Sequence, residues 1–232
     1  MNDLERLQKK LIKRNELPTK KKLSAIDKYK AEEVEDVIDA IGTYVQYPTS
    51  EQKIQDAREA YDGLNETQKA LVENYDALTQ AEDRFEAQKV TAKINALGQV
   101  AYPTSGEALQ EARTAYNALT ASQKELMSSY VVGQLESKEN EYAAKGVVAK
   151  IDAIGEVANP ASNAAIQEAR TAYNALTDAQ KEFVQQADLQ KLVDAENKYP
   201  ALGVIALIDA IGTVTYPTSG EAIDEANLTL YS

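Results

Sequence analysis

Three arginines and three glutamates keep time along this chain: Arg58, Arg113 and Arg170, spaced 55 and 57 residues apart, and Glu82, Glu139 and Glu196, each 57 apart. A guanidinium presents a rigid planar fork of donors that fits a carboxylate or a phosphate two-handed. Open to solvent, the arginines would offer one anion site per period. Paired with the glutamates, they would instead tie one helix to another, which is the fork-shaped partner a half-buried arginine needs. The shared period favours the tie.

A second row is aromatic. Tyr47, Tyr102 and Tyr216 each precede a proline and are the candidate binding residues, flat rings on which sugars or peptides could stack. Packing against the end of a helical bundle competes with that use, and Asn159 interrupts the row. Tyr61, Tyr116 and Tyr173 fall on apolar faces and are expected in the core, their hydroxyls at its rim.

Other chemistry has few carriers. The chain has no Cys, His or Trp, so thiolate nucleophiles, thiolate or imidazole metal sites and Ser-His-Asp relays are impossible within it. No D-x-D-x-D-G calcium loop occurs. Carboxylates are plentiful, but glycosidase work needs a concave site. No catalytic, cofactor-binding or metal-binding residue is assigned, and the chain reads as non-enzymatic.

Charge is unevenly spread over the 232 residues: residues 1–30 carry ten Lys/Arg against four Asp/Glu, net +6, and the remainder is net −18. The acidic body repels nucleic acid and anionic lipid, so neither is expected as a partner. The basic start reads as a solvated helix face rather than an anion site. No run approaches the ~18 apolar residues of a membrane span, so membrane insertion is not expected. The first residues lack the apolar segment of a secretion signal, and Leu17-Pro18-Thr19, followed by lysines, is no sortase-type anchor. Export would require a signal outside the chain given.

The elements that must position these residues are themselves periodic. Ile38-Asp39-Ala40-Ile41-Gly42 recurs with variation to Gly98, Gly155 and Gly212, at spacings of 56, 57 and 57. Pro48, Pro103, Pro160 and Pro217 follow the same beat, and residues 110–120 and 167–177 are both QEARTAYNALT. The periodicity divides the chain into a partial degenerate repeat (1–32), repeats at 33–88, 89–145 and 146–202, and a truncated fourth repeat (203–232). Residues 8–12 sit where a repeat's Gln-Lys-x-apolar-apolar belongs; an unrelated basic helix is the alternative there.

Each repeat reads as three helices. The first begins after Tyr-Pro-Thr-Ser, where Thr49 with Gln52, Thr104 with Glu107 and Thr218 with Glu221 fit capping boxes, Ser162 replacing the threonine in the third repeat. A second box, Asn65 with Gln68, Thr120 with Gln123 and Thr177 with Gln180, starts a short helix whose end is expected at Asp76, Gly133 or Asp188. The third helix, about 77–97 in the first repeat, carries Leu78, Ala81 and Phe85, then Val90, Ile94 and Leu97. Between Phe85 and Val90 its apolar face turns by about 140°. One helix should therefore close one bundle and open the next, giving an all-α linear array of three-helix-bundle repeats of about 57 residues that share long connecting helices. Pro200 predicts a kink or break near Tyr199, and Gly146 a weaker point.

The pattern AR-x-AY-x-AL-T-x-x-QK-x-x-V, closed by L-x-x-AE and followed by IDAIG, resembles a tandem helical repeat of Gram-positive bacterial proteins that are secreted or cell-wall associated. The resemblance spans about residues 31–226. It implies a monomeric fragment of a larger extracellular protein, without catalytic residues or cofactors, serving as a spacer that carries other domains. The alternative is a module that binds a protein, or a cell-wall or host glycan, through a repeated helix face.

Overall fold

The computed structural model of the chain describes residues 19–212, with side chains from Ser24 onward. The features expected at residues 8–12, the Thr218/Glu221 box and Tyr216 lie outside the described residues. Among the described residues the fold is all α-helical: α1 (Thr19–Asp39), α2 (Glu51–Asp62), α3 (Glu66–Lys69), α4 (Tyr75–Asn95), α5 (Gly106–Ala118), α6 (Ala121–Glu125), α7 (Ser129–Ala153), α8 (Asn163–Ala175), α9 (Asp178–Lys181) and α10 (Gln186–Ile211). The chain divides into two compact units, residues 1–96 with 111–132, and residues 97–110 with 133–232.

In the first unit α1 packs against α2, α3 and α4, α2 against α4, and α4 against α6. Its core joins Val34, Ile38 and Ile41 of the α1 end to Ile54 and Ala57 of α2 and to Leu78, Ala81 and Phe85 of α4. These residues recur three and four apart, so each helix offers one apolar stripe, and burying each large side chain contributes about 1.5–3 kcal/mol. The second unit's core uses the same spacings: Val147, Ile151 and Ile154, then Ile166 and Ala169, then Leu192 and Ala195.

Helix α4 buries two faces. Leu78, Ala81 and Phe85 belong to the core with α1 and α2, whereas Ala87, Val90 and Ile94 are also buried but lie outside that cluster. The sequence expectation for this helix, a stripe that swings round after Phe85, matches its burial.

The connections are built alike. Gly42, Gly98, Gly155 and Gly212 follow long helices with φ of +82°, +57°, +61° and +62°. The Gly42 N–H closes the last turn onto the Asp39 carbonyl at 3.0 Å, a helix stop that needs a left-handed residue. The bonds Tyr47–Pro48, Tyr102–Pro103 and Asn159–Pro160 are cis. The capping boxes at Asn65/Gln68, Thr120/Gln123 and Thr177/Gln180 are all formed.

Four expectations are corrected. First, Thr49 and Thr104 do not cap: their hydroxyls donate to the carbonyls of Gln46 (3.3 Å) and Ala101 (3.5 Å). The following serines act instead, Ser50, Ser105 and Ser162 accepting from the N–H of Gln46 (3.0 Å), Ala101 (2.9 Å) and Ala158 (3.0 Å). Second, Ser162 does stand at the cap position, but its backbone is helical and its side chain makes no cap bond. The cause is that Pro-Thr-Ser already turns in the helical sense, with Ser50 N–H on the Gln46 carbonyl at 2.8 Å; an N-cap side chain works from extended backbone.

Third, the short helices end at Lys69, Glu125 and Lys181, and the long ones begin at Tyr75, Ser129 and Gln186. Asp76 and Asp188 thus lie in first turns, where an acid complements the helix dipole, and Gly133 lies inside α7. Fourth, of the kink or break expected near Tyr199 the break does not occur, since α10 runs on through Pro200. Proline removes one N–H from a 26-residue helix, and Asn159 Nδ2 donates to the Tyr199 carbonyl beside it at 3.4 Å. Gly146 likewise leaves α7 intact; a Cβ there would meet the Tyr102 ring at 3.1 Å, so the glycine makes room for it.

Candidate functional site

The arginine row forms ties in both units. Arg58 on α2 donates through Nε to Glu82 Oε1 at 2.7 Å and through Nη2 to Glu82 Oε2 at 2.6 Å, with a longer contact to Asp62 at 3.5 Å. Arg170 on α8 grips Glu196 on α10 in the same two-handed way, both bonds 2.6 Å. Each side chain of these pairs is 29–30% exposed, so the charges are partly withdrawn from water and the bonds are stronger than on an open surface. Hydrogen bonding to Glu82 holds the Arg58 proton far above the ordinary arginine range, against the opposing effect of burial; hydrogen bonding to Glu196 raises that of Arg170.

Aromatic rings back the guanidinium groups. Arg58 lies 5.6 Å from the Tyr61 ring and 5.5 Å from that of Tyr75, and the two rings stack on each other at 4.3 Å. Arg113 lies 5.4 Å from Tyr116, and Arg170 5.5 Å from Tyr173. Lys69, Lys124 and Lys181 also stand 5.4–5.8 Å from the same three tyrosines. Each of these half-buried rings thus has two cations near it, a contact worth about 0.5–1 kcal/mol per cation at exposed sites.

Of the candidate binding tyrosines, Tyr47 is 39% exposed and Tyr102 45%. Both lean on a neighbouring long helix: the Tyr47 ring is 5.3 Å from Phe85, and the Tyr102 ring is 5.2 Å from Tyr142. The Tyr47 N–H also donates to Gln88 Oε1 at 2.8 Å, and Gln88 Nε2 donates to the Val45 carbonyl at 2.8 Å. Lys145, at the matching place in α7, donates to the Val100 carbonyl. Each ring is therefore partly covered by its neighbour and partly open to solvent. Nothing in the sequence periodicity marked Gln88 or Lys145. The available signal was a polar side chain one turn after Phe85 and Tyr142, facing a loop that has to be held.

The clefts are open. About 640 Å³ lies between α2 and α4 over the Arg58–Glu82 tie, and about 360 Å³ over Arg170–Glu196. Two others, of about 570 and 300 Å³, adjoin Gly42 and Gly155. In the first two, the arginine and glutamate that line the cleft are hydrogen-bonded to each other. Among the described residues no cluster of three or more acidic, His or Cys side chains is arranged to hold a metal ion, and no helix is long and apolar enough to cross a membrane. Compared with protein families, with characterised proteins and with solved structures, the chain matches no family model, no protein and no structure, so its function rests on the geometry itself.

Proposed function

We propose that this chain is a run of spacer repeats, a linear array of three-helix bundles sharing long helices, that holds other parts of a secreted or cell-wall-associated protein at a distance. The observation that carries the reading is the use of the recurring polar groups. The Arg58–Glu82 and Arg170–Glu196 forks tie one helix to another, Gln68 and Gln123 donate to Asp27 of α1 and Asp83 of α4, and Ser50, Ser105 and Ser162 close local turns. Side chains kept for a ligand would stay open. Helix α4, with two buried faces, suits an element shared by successive bundles. The resemblance to Gram-positive surface repeats supports the location.

Small-angle scattering tests this reading. Repeats joined through ~30 Å helices should give a particle on the order of 100 Å long; a compact globule would overturn the array. The half-exposed edges of Tyr47 and Tyr102 favour a second reading, recognition of a protein or glycan along one face. Titration with cell-wall oligosaccharides separates the two, because a spacer takes up none and a binder loses its uptake in Tyr102→Ala.

A further inference from the structure

We propose that the cleft beside Gly42 in the first unit binds a small zwitterion, an amino acid whose ammonium sits at the end of α1 and whose carboxylate meets Arg84. The spacer reading above neither needs this site nor excludes it. The long helices align in register through Leu78, Leu135 and Leu192, which stand 57 residues apart and are fully buried. On that register Ala77 and Ala81 of α4 correspond to Gln134 and Lys138 of α7 and to Lys191 and Ala195 of α10. Gly42 corresponds to Gly98 and Gly155, and Asp39 to Asn95 and Asp152.

In the other two repeats the chain supplies an ammonium at this place. Lys138 donates to the Gly98 carbonyl, and Lys191 donates to Asp152 Oδ1 at 2.9 Å. The cause is electrostatic: the last carbonyls of a helix lack partners within it and carry the negative end of its dipole, so cations collect there. The end of α1 draws one as well, Lys53 donating to the Ala40 carbonyl at 3.0 Å. Both long-helix lysines, however, are alanines in α4. A cleft of about 570 Å³ lies there instead, with Asp39, Gly42, Ala77, Ala81 and Arg84 among its walls. The matching cleft beside Gly155, which has Lys191 in its wall, is about 300 Å³.

An ammonium entering the Gly42 cleft finds the glycine carbonyl and the Asp39 carboxylate. Asn74 Nδ2 already donates to Asp39 at 2.9 Å, but a carboxylate has about four acceptor positions. Arg84 stands one turn beyond Ala81, about 4.5 Å farther along the axis. It is exposed, and among the described residues it makes no hydrogen bond or ion pair. Its planar fork fits a carboxylate and repels a bare amine. In α7, where Lys138 already fills the ammonium place, the counterpart of Arg84 is Glu141. A ligand that satisfies both ends carries an ammonium and a carboxylate on one short carbon skeleton. Ile38, Val45 and Ala81, buried beneath the cleft, favour an aliphatic side chain on it.

Titration of the isotope-labelled full chain with leucine, followed through amide NMR shifts, is the measurement. Saturating shifts are expected at Gly42, Thr43 and residues 80–84. Isoamylamine and isocaproate keep one charge each and should bind about tenfold more weakly or worse, as should leucine to Arg84→Met. Ala77→Lys supplies the ammonium that Lys191 supplies in α10 and should weaken leucine binding by a similar factor. Both substituted positions are exposed, and circular dichroism checks that the variants keep their helix content. Shifts that do not saturate, isoamylamine binding as tightly as leucine, or unchanged affinity in Ala77→Lys would each overturn the proposal. Particle length in scattering decides the spacer reading separately, since it does not depend on the ligand.

Discussion

The Arg58–Glu82 fork and its counterpart Arg170–Glu196 have the same bond geometry but different surroundings, which makes a stability difference predictable. A pair with both partners on the surface is worth about 0–1 kcal/mol, and breaking a fully buried one costs about 3–5 kcal/mol. Both forks have side chains 29–30% exposed, so a double-mutant cycle of Arg58→Met and Glu82→Gln should give a coupling of about 1.5 kcal/mol, between those limits. The surroundings then differ by one ring. Arg58 lies over both Tyr61 and Tyr75, and Arg170 over Tyr173; Leu189 stands where register would place a Tyr75 equivalent.

Lysine keeps the charge but loses the planar fork and its stacking. Arg58→Lys should therefore destabilise by about 0.5–1 kcal/mol more than Arg170→Lys, the worth of one partly exposed cation–ring contact. In a Tyr75→Leu background that excess should vanish. Urea unfolding followed by circular dichroism gives the values, with a constant slope as the check that each variant unfolds as the parent does. Equal losses for the two lysine variants, or an excess that survives Tyr75→Leu, would refute the assignment of the difference to Tyr75.

Four further outcomes are expected. Ser50→Ala leaves the Gln46 N–H without its 3.0 Å acceptor and should cost about 1–3 kcal/mol, read as a lowered melting temperature, while Thr49→Ala should change little. Gly42 has φ +82° and nothing within 4 Å of a built Cβ, so Gly42→Ala should cost about 1–2 kcal/mol from conformation alone, with Gly42→Asn milder in the same urea assay. The Lys93 ammonium, hydrogen-bonded to Glu111 at 2.7 Å, lowers the Glu111 pKa below the ordinary carboxylate value of 4.5. A folded pKa below the unfolded one stabilises above the unfolded value and fades as pH falls through the folded one, so Glu111→Gln should lower the melting temperature at neutral pH, converge with the parent in acid and so flatten the acid limb of the profile. By the opposite sign, Lys191, raised by its bonds to Asp152 and Asp188, stabilises below pH 10.5 and loses this as pH climbs through its folded value; Lys191→Met should flatten the alkaline limb.

Helical character, the second set of capping boxes and the arginine–glutamate ties were legible because each is a local rule repeated. Asn65 or Thr120 three residues before a glutamine states its own bond, and an arginine keeping step with a glutamate names its partner. What failed to be legible depends on backbone direction. Thr49 and Ser50 are adjacent hydroxyls, and only the helical turn through Pro48 decides that the threonine reaches back to a carbonyl while the serine receives an N–H. Asp76 resembled a stop because acids also occupy turns; its place in the first turn of α4 is settled by where the preceding four-residue helix ends. Pro200 misled for a related reason. Proline's penalty is read against an isolated helix, whereas α10 holds Leu192 and Ala195 in a core on one side of it.

The long helices carry the consequence furthest. A helix that buries one face can be recognised from a single stripe, and its other side is free to be polar. In α4 the buried residues go round the helix, Leu78, Ala81 and Phe85 on one side and Val90 and Ile94 on another, so its two halves turn different sides to solvent, Ala77, Gln80 and Arg84 in the first and Lys89, Ala92 and Lys93 in the second. Such a helix is stable only while both halves are covered. In α10 the first half is covered at Leu192 and Ala195, and the second exposes Ile205 and Ile208. The sequence pattern of the two helices is alike; their surroundings differ. Amides 204–211 of α10 should therefore exchange faster than amides 90–95 of α4 in a hydrogen-exchange measurement. Slow exchange of 204–211 in dilute wild-type chain would show that this half needs no cover, and the argument from shared stripes would fail with it.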